Sequence, residues 1–412
     1  MDLLQGLNPE QLAAVTLPPQ HALILAGAGS GKTRVLTHRI AHLVRDHAVR
    51  PHEILAITFT NRAAREMAER VEGLLGGRAR GMWVMTFHAA CARILRAEAE
   101  HVGFRPGFTI YDQQDQIRLV KDVIETDLNK DSKRYPPRGV HTRISDAKNR
   151  LQGPEEFAAE HTGFFDRTVA EVYPRYQERL RAAGAMDFDD LLMLTVRLLE
   201  GVGEVRERYA RRFRHVLVDE YQDTNHAQYR LVRALTSVHG NVCVVGDSDQ
   251  SIYSWRGADI RNILDFERDY PDAQVVRLEQ NYRSTQRILD AANGVIAHNS
   301  ERQPKRLWSE LGAGEPVRVI ECEDDREEAR LVSGGIAEAL RAGYAATDVA
   351  VLYRANHQSR AIEDELRRRD LAYQVIGGTR FYERAEVRDA LAYLQVLANP
   401  ADAVALRMGY QG

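Results

Sequence analysis

Residues 26–33 read AGAGSGKT, set between the apolar run HALILAG (21–27) and the helical stretch RVLTHRIAHLV (34–44). No other part of the chain restricts the fold so sharply. Glycines at 27, 29 and 31 let the backbone curl so that several N–H groups point inward, and the following helix N-terminus adds its dipole. A polyphosphate is the guest such a nest suits. Lys32 supplies a point charge for the β and γ phosphates, and Thr33 a hydroxyl for Mg²⁺. The strict pattern begins with glycine where this chain has Ala26. A small residue serves there, because the nest is built by Gly27, Ala28, Gly29, Ser30 and Gly31.

Three further apolar runs end at turns in the same way: ILAITFT (54–60), HVLVDE (215–220) and NVCVVGD (241–247). Short, continuously apolar, β-branched segments suit strands buried on both faces of a parallel sheet. The first domain is therefore expected to be α/β, a P-loop parallel-sheet domain over residues 1–104 and 191–280. Between about 105 and 190 the strand signal gives way to amphipathic helices, as in 115–129 and 164–184, which predicts a helical insertion. A second α/β pattern follows, with strands expected at VRVIE (317–321), DVAVLYR (348–354) and YQVIGG (373–378). This gives a partial second domain over 281–380 and the start of another helical domain over 381–412. Two α/β domains in tandem would leave a cleft between them, where ligands of such folds bind.

A Mg²⁺-nucleotide site needs a carboxylate at a neighbouring strand end, and VLVDE supplies Asp219 and Glu220. The simple division of labour is Asp219 on the metal and Glu220 polarising the attacking water. Side chains alternate along a strand, so both can reach one cavity only where the chain turns.

Composition narrows the class without deciding the partner. The 412 residues exceed the roughly 100–200 of one domain, and 56 Lys+Arg against 59 Asp+Glu leave a net charge of −3. Nucleic-acid binding must then come from a local groove rather than from global charge. Cys91, Cys243 and Cys322 lie far apart, without zinc or disulfide spacing, which fits a reducing cytoplasm. The N-terminus has no leader-like pattern, and no apolar run nears the ~18 residues of a membrane helix. A soluble, cytoplasmic protein is expected.

Seven segments in order resemble the UvrD/PcrA/Rep group of superfamily I DNA helicases: AGAGSGKT, ITFTNRAAREMAERV (57–71), MTFHA (85–89), MDFDDLL (186–192), VDEYQDTN (218–225), VVGDSDQSIYSWRGAD (244–259) and LEQNYRST (278–285). The resemblance implies an ATP-driven 3′ to 5′ translocase on single-stranded DNA, acting at single-strand/duplex junctions in repair or replication. It implies that Gln11 reads adenine, that Arg34 and Tyr282 sandwich the base, that Gln250 senses the γ-phosphate and that Arg283 is an arginine finger. An amide can pair with the adenine edge, and a guanidinium fork can grip two phosphate oxygens.

By the same resemblance Tyr253, Trp255 and Arg256 form the single-strand platform, with Phe59 as a second stacking group and Asn61, Thr86 and His88 near the backbone. On the residues alone, Phe59 reads as core and His88 as a loop histidine. A basic stretch in the insertion (Lys130, Lys133, Arg134, Arg138, Arg143, Lys148, Arg150) is equally a phosphate-contacting face or a solvated one. Two late motifs of the group, one with another phosphate-sensing arginine, are not found by residue 412. The alternatives are accordingly an ATP- and DNA-binding fragment without motor output, or the helicase portion of a helicase-nuclease. Protein partners are not legible.

Overall fold

The computed structural model describes residues 3–300 and 302–376, together with 390, 391, 393, 394, 396, 397, 399, 401 and 402. Six strands form the main sheet: β1 (Ala22–Ala26), β2 (Ile54–Thr58), β3 (Trp83–Thr86), β6 (His215–Val218), β7 (Val242–Gly246) and β8 (Gln274–Leu278). Two short strands, β4 (Thr109–Tyr111) and β5 (Ala185–Asp187), pair separately. The sheet order is β3-β2-β6-β7-β1-β8, and every neighbouring pair is parallel. All four apolar runs expected as strands are strands.

Alternation along these strands divides the core in two. Leu23, Leu25, Leu55, Ile57, Val216, Val218, Val242 and Val244 face one buried cluster. Ala22, Ile24, Ala26, Ile54, Ala56, Leu217, Cys243 and Val245 face the other. Helices cover both sides, which is why the strands read as unbroken apolar runs instead of alternating ones. Because the strands are parallel, the loops after β1, β2, β3, β6, β7 and β8 open along one edge of the sheet, where ligands of such folds collect.

The insertion is helical, as expected, around a core that includes Val120, Val169, Tyr173 and Tyr176. Its helices span Gln113–Asp122, Pro137–Asn149, Pro154–Glu160 and Phe164–Ala182. The stretch expected as one helix over 115–129 changes to a π turn at Val123–Asp127. The pair β4 and β5 was not visible in the sequence, since three residues are too few to display a period of two.

The chain divides into two compact units, Met1–Glu315 with Leu391–Gly412, and Pro316–Ala390. In the second, helices Asp325–Arg341 and Ser359–Arg368 pack through Ala329, Ile362 and Leu366. The strands expected at 317–321, 348–354 and 373–378 are not formed among the described residues, which include none of 377–378. A strand exists only with a ladder partner for its N–H and C=O groups, and these segments have none there. Their side chains accordingly stay in solvent, Val319 at 95% and Leu352 at 91% exposure. The expected helical domain at 381–412 falls largely outside the described residues. Among those described, no helix is long and apolar enough to cross a membrane.

Candidate functional site

The loop after β1 forms the expected nest. Gly31 has φ 92° and caps the helix Lys32–Arg45, and any Cβ there would collide with the Gln11 amide. Gln11 is almost wholly buried and its Nε2 donates to Ser30 O at 2.9 Å, so this side chain helps fix the loop. The helix bearing it is capped by Asn8, whose side chain accepts from Gln11 N at 2.7 Å. Arg34 donates to Gly6 O at 3.0 Å.

The segment after β8 reaches the same loop. Tyr282 N donates to Gly29 O at 2.9 Å, and Asn281 Nδ2 to Ala28 O at 2.5 Å. Asn281 Oδ1 in turn accepts from the backbone N–H groups of Arg283 and Ser284, which fixes where the Arg283 side chain starts. Tyr282 keeps 47% of its surface exposed, leaving its ring free to stack. Gln11, Tyr282 and Arg283 are thus brought to the nest from 15 residues before it and some 250 after it.

Across the edge, Asp219 follows β6 and is buried. Glu220 adopts a left-handed conformation, φ 49° and ψ 44°, which is costly for a residue with a Cβ. At this turn the two consecutive carboxylates both come within electrostatic reach of Lys32. Lys32 Nζ lies 3.3 Å from Glu220 Oε2. Burial, reinforced by the Glu220 charge, pushes the Asp219 carboxyl up to about 7 against the opposing pull of Lys32. Asp223 is pushed up to about 6 by burial and by Glu220. Three carboxylates face one lysine, so the site has surplus negative charge and hard oxygen donors. Together with the Thr33 hydroxyl this donor set fits Mg²⁺, which prefers oxygen ligands and keeps several waters.

Sequence reasoning missed the group that ties these elements together. Gln222 donates to Glu220 Oε2 at 3.0 Å and accepts from Asp247 N at 2.9 Å. Asp247 accepts from Gln250 Nε2 at 2.5 Å, and Lys305 reaches both Asp247 and Asp249 at 2.5 Å. The available signal was a run of polar residues directly after two apolar strands, where side chains turn inward.

Beyond Asp247 the chain leads to the segment in which a platform was expected. Trp255 is 70% exposed, the Arg256 guanidinium lies 4.6 Å from its ring centroid, and Tyr253 stands 6.3 Å away. Phe59 is half-buried, edge-on to Phe87 at 5.5 Å. Asn61 is exposed at the start of its helix. The Thr86 hydroxyl caps a helix by accepting from Ala89 N. His88 stands edge-on to Phe188 at 5.7 Å, and burial holds its imidazole below the usual range.

Three of the seven basic residues are paired inside the insertion, while Lys133, Arg134, Arg138 and Arg150 are exposed. Lys148 is fully buried between Asp187 (2.5 Å) and Asp190 (2.8 Å), Lys130 pairs with Glu171 and Arg143 with Asp166. Lys148 in particular is withdrawn from any phosphate-contacting face.

Comparison with known proteins accords with this geometry. Residues 7–271 match the UvrD/REP helicase N-terminal domain, and 276–411 the UvrD-like helicase C-terminal domain. The chain is similar to the ATP-dependent DNA helicase PcrA of Bacillus subtilis, at 51% identity over 97% of this chain and 54% of the relative. It is likewise similar to the ATP-dependent DNA helicase UvrD1 of Mycobacterium tuberculosis, at 54% identity over 98% of this chain and 54% of the relative. It therefore spans about half the length of the curated relatives it matches. On the two domain matches and this level of identity, the chain belongs to the UvrD/REP helicase family.

Proposed function

We propose that the protein acts as an ATP-dependent DNA helicase, a 3′ to 5′ translocase on single-stranded DNA that hydrolyses ATP to ADP and phosphate in the cytoplasm, at single-strand/duplex junctions of repair or replication. The observation that carries this reading is the unbroken polar path from Glu220 through Gln222 to Asp247, in the same loop system that ends in Trp255 and Arg256. A nucleotide site and a stacking platform then share one structural element.

In this reading the nest and Lys32 hold the phosphates, Gln11 selects adenine, and Arg34 and Tyr282 enclose the base. Glu220, freed from Lys32 by the incoming phosphate, orients and deprotonates the attacking water. Thr33 and Asp219 would hold Mg²⁺, which when bound neutralises phosphate charge. Gln250 reads the γ-phosphate through its link to Asp247, and Arg283 stabilises charge on the transferring phosphoryl group. Trp255 and Tyr253 stack on bases while Arg256 meets a backbone phosphate. Phe59 offers a further ring edge, with Asn61, Thr86 and His88 beside the strand. Residues 1–104 and 191–280 form the first motor domain, 105–190 its insertion, and 281–380 part of a second.

The second reading is an ATP- and DNA-binding fragment without motor output, favoured by the lack of strands among the described residues of the second unit. Strand separation on duplexes with a 3′ or a 5′ single-stranded tail distinguishes the two. The translocase reading expects ATP-dependent unwinding from the 3′ tail only. Binding without unwinding supports the fragment, and unwinding from the 5′ tail contradicts the direction.

A further inference from the structure

Asn149 of the insertion makes a polar contact with Asn225, beside the Ser254–Gly257 turn. Asn149 is the last residue of the helix Pro137–Asn149, and its neighbour Lys148 is locked between Asp187 and Asp190, with Tyr176 donating to Asp187 at 2.8 Å. The end of this helix is therefore a fixed point. From it the Asn149 amide works in two directions. Its Nδ2 donates to Ser145 O at 2.9 Å and to Asp189 Oδ1 at 3.2 Å, while its Oδ1 accepts from Asn225 Nδ2 at 2.6 Å.

Asn225 stands where the nucleotide-side loop meets the next helix. It caps His226–Leu235 by accepting from Gln228 N at 2.9 Å. The preceding Thr224 O accepts from Asp259 N and Asn262 Nδ2, both at 2.9 Å. The turn Ser254–Arg256 closes on Gly257, at φ 82°. A Cβ placed on Gly257 would lie 3.7 Å from Asn149 Cβ and 4.0 Å from Asn225 Cβ. The backbone that presents Trp255 and Arg256 is thus seated against this pair of asparagines.

We infer that Asn149 is a positioning residue for single-stranded DNA: through Asn225 it holds the Ser254–Gly257 turn so that Trp255 and Arg256 meet the strand, although Asn149 itself touches no DNA. The inference rests on the proposed platform role of Trp255. It assigns to the insertion a part in DNA affinity that is separate from the charge of its basic residues. The amide is needed because only a group with both a donor and an acceptor can bridge a carboxylate and a second amide.

The test is the affinity of the 412-residue protein for a fluorescently labelled oligo-dT at one fixed salt concentration, with nucleotide affinity and far-UV circular dichroism as controls for folding. Asn149→Ala is expected to weaken DNA binding roughly threefold to tenfold, the scale of one hydrogen bond. Asn225→Ser keeps a capping hydroxyl but loses the amide donor, and should give a similar loss. The double variant should lose no more than either alone, because both remove the same contact. Trp255→Ala separates the two levels of the account. If it weakens binding while folded Asn149→Ala and Asn225→Ser bind as the parent does, the positioning role is overturned. If Trp255→Ala also binds normally, the platform reading falls. Should Asn149→Ala fail to fold, Asn225→Ser alone decides, and additive losses in the double variant contradict a shared contact.

Discussion

Lys32 Nζ rests 3.3 Å from Glu220 Oε2, so the cation of the glycine-rich loop and the second strand-end carboxylate neutralise each other across the sheet edge. In the proposed reading an incoming phosphate competes with Glu220 for the lysine and releases the carboxylate at the moment a base is required, so the two residues should separate into distinct phenotypes.

Lys32→Ala is expected to abolish measurable turnover, since it removes the phosphate's cation and leaves three carboxylates unopposed. Glu220→Gln should retain nucleotide affinity while hydrolysis falls by ~10²–10⁴-fold, the usual value of a positioned general base. Equilibrium nucleotide binding and phosphate release, measured on the same preparations, check both. Glu220→Gln with parental turnover would remove this residue from the chemistry.

Trp255 and Arg256 should be separable by salt. Trp255→Ala loses a stack worth ~1–3 kcal/mol but no phosphate contact, so affinity drops while the slope of log K against log salt is kept. Arg256→Ala should reduce that slope by about 0.7, the value of one single-strand phosphate. Titrations of oligo-dT at several salt concentrations give both numbers, and a changed slope in Trp255→Ala counts against the division.

Lys148 tests the internal fate of the basic stretch. Removing one partner from a buried ion pair strands the other charge, so Lys148→Met is expected to destabilise by ~3–5 kcal/mol. Urea unfolding reads this as a lower midpoint. A midpoint within experimental error of the parent would mean that the lysine is not held between Asp187 and Asp190.

His215 opens β6, buried, and is pulled down to about 4 by burial and by the nearby Arg39 and Arg214 cations. Unfolded histidine titrates near 6.5, so between those values the unfolded chain takes up the extra proton. The stability from the neutral ring is complete above about pH 6.5 and is lost as pH falls toward 4, up to about 3 kcal/mol. His215→Asn should flatten this part of the pH profile of the melting temperature. Parallel profiles for parent and variant would contradict it.

The first sheet was legible because strands buried on both faces leave continuous apolar runs, and the loop between Ala26 and Thr33 announces its own geometry. In the second unit the domain class was legible, as the C-terminal helicase-domain match bears out, but the expected strands are not formed among the described residues. VRVIE and DVAVLYR carry strand-like patterns, yet such a pattern reports only a preference, and the ladder partner that realises it lies elsewhere in sequence. Within the site, Lys32, Asp219 and Glu220 could be read from local spacing. Gln222, Asp247 and Lys305 could not, because their meaning arises from contacts made between separate strand ends. Lys148 was misplaced for the same reason. Its partners Asp187 and Asp190 lie some 40 residues away, and charge alone does not say which side of a helix is covered.

The nucleotide site and the Trp255 platform are expected to work as one element. Steady-state ATP hydrolysis by the 412-residue protein, with and without saturating oligo-dT, tests it most directly. DNA is expected to stimulate hydrolysis, with a higher DNA concentration needed for half-stimulation in Trp255→Ala. Nucleotide binding with hydrolysis indifferent to DNA would contradict it.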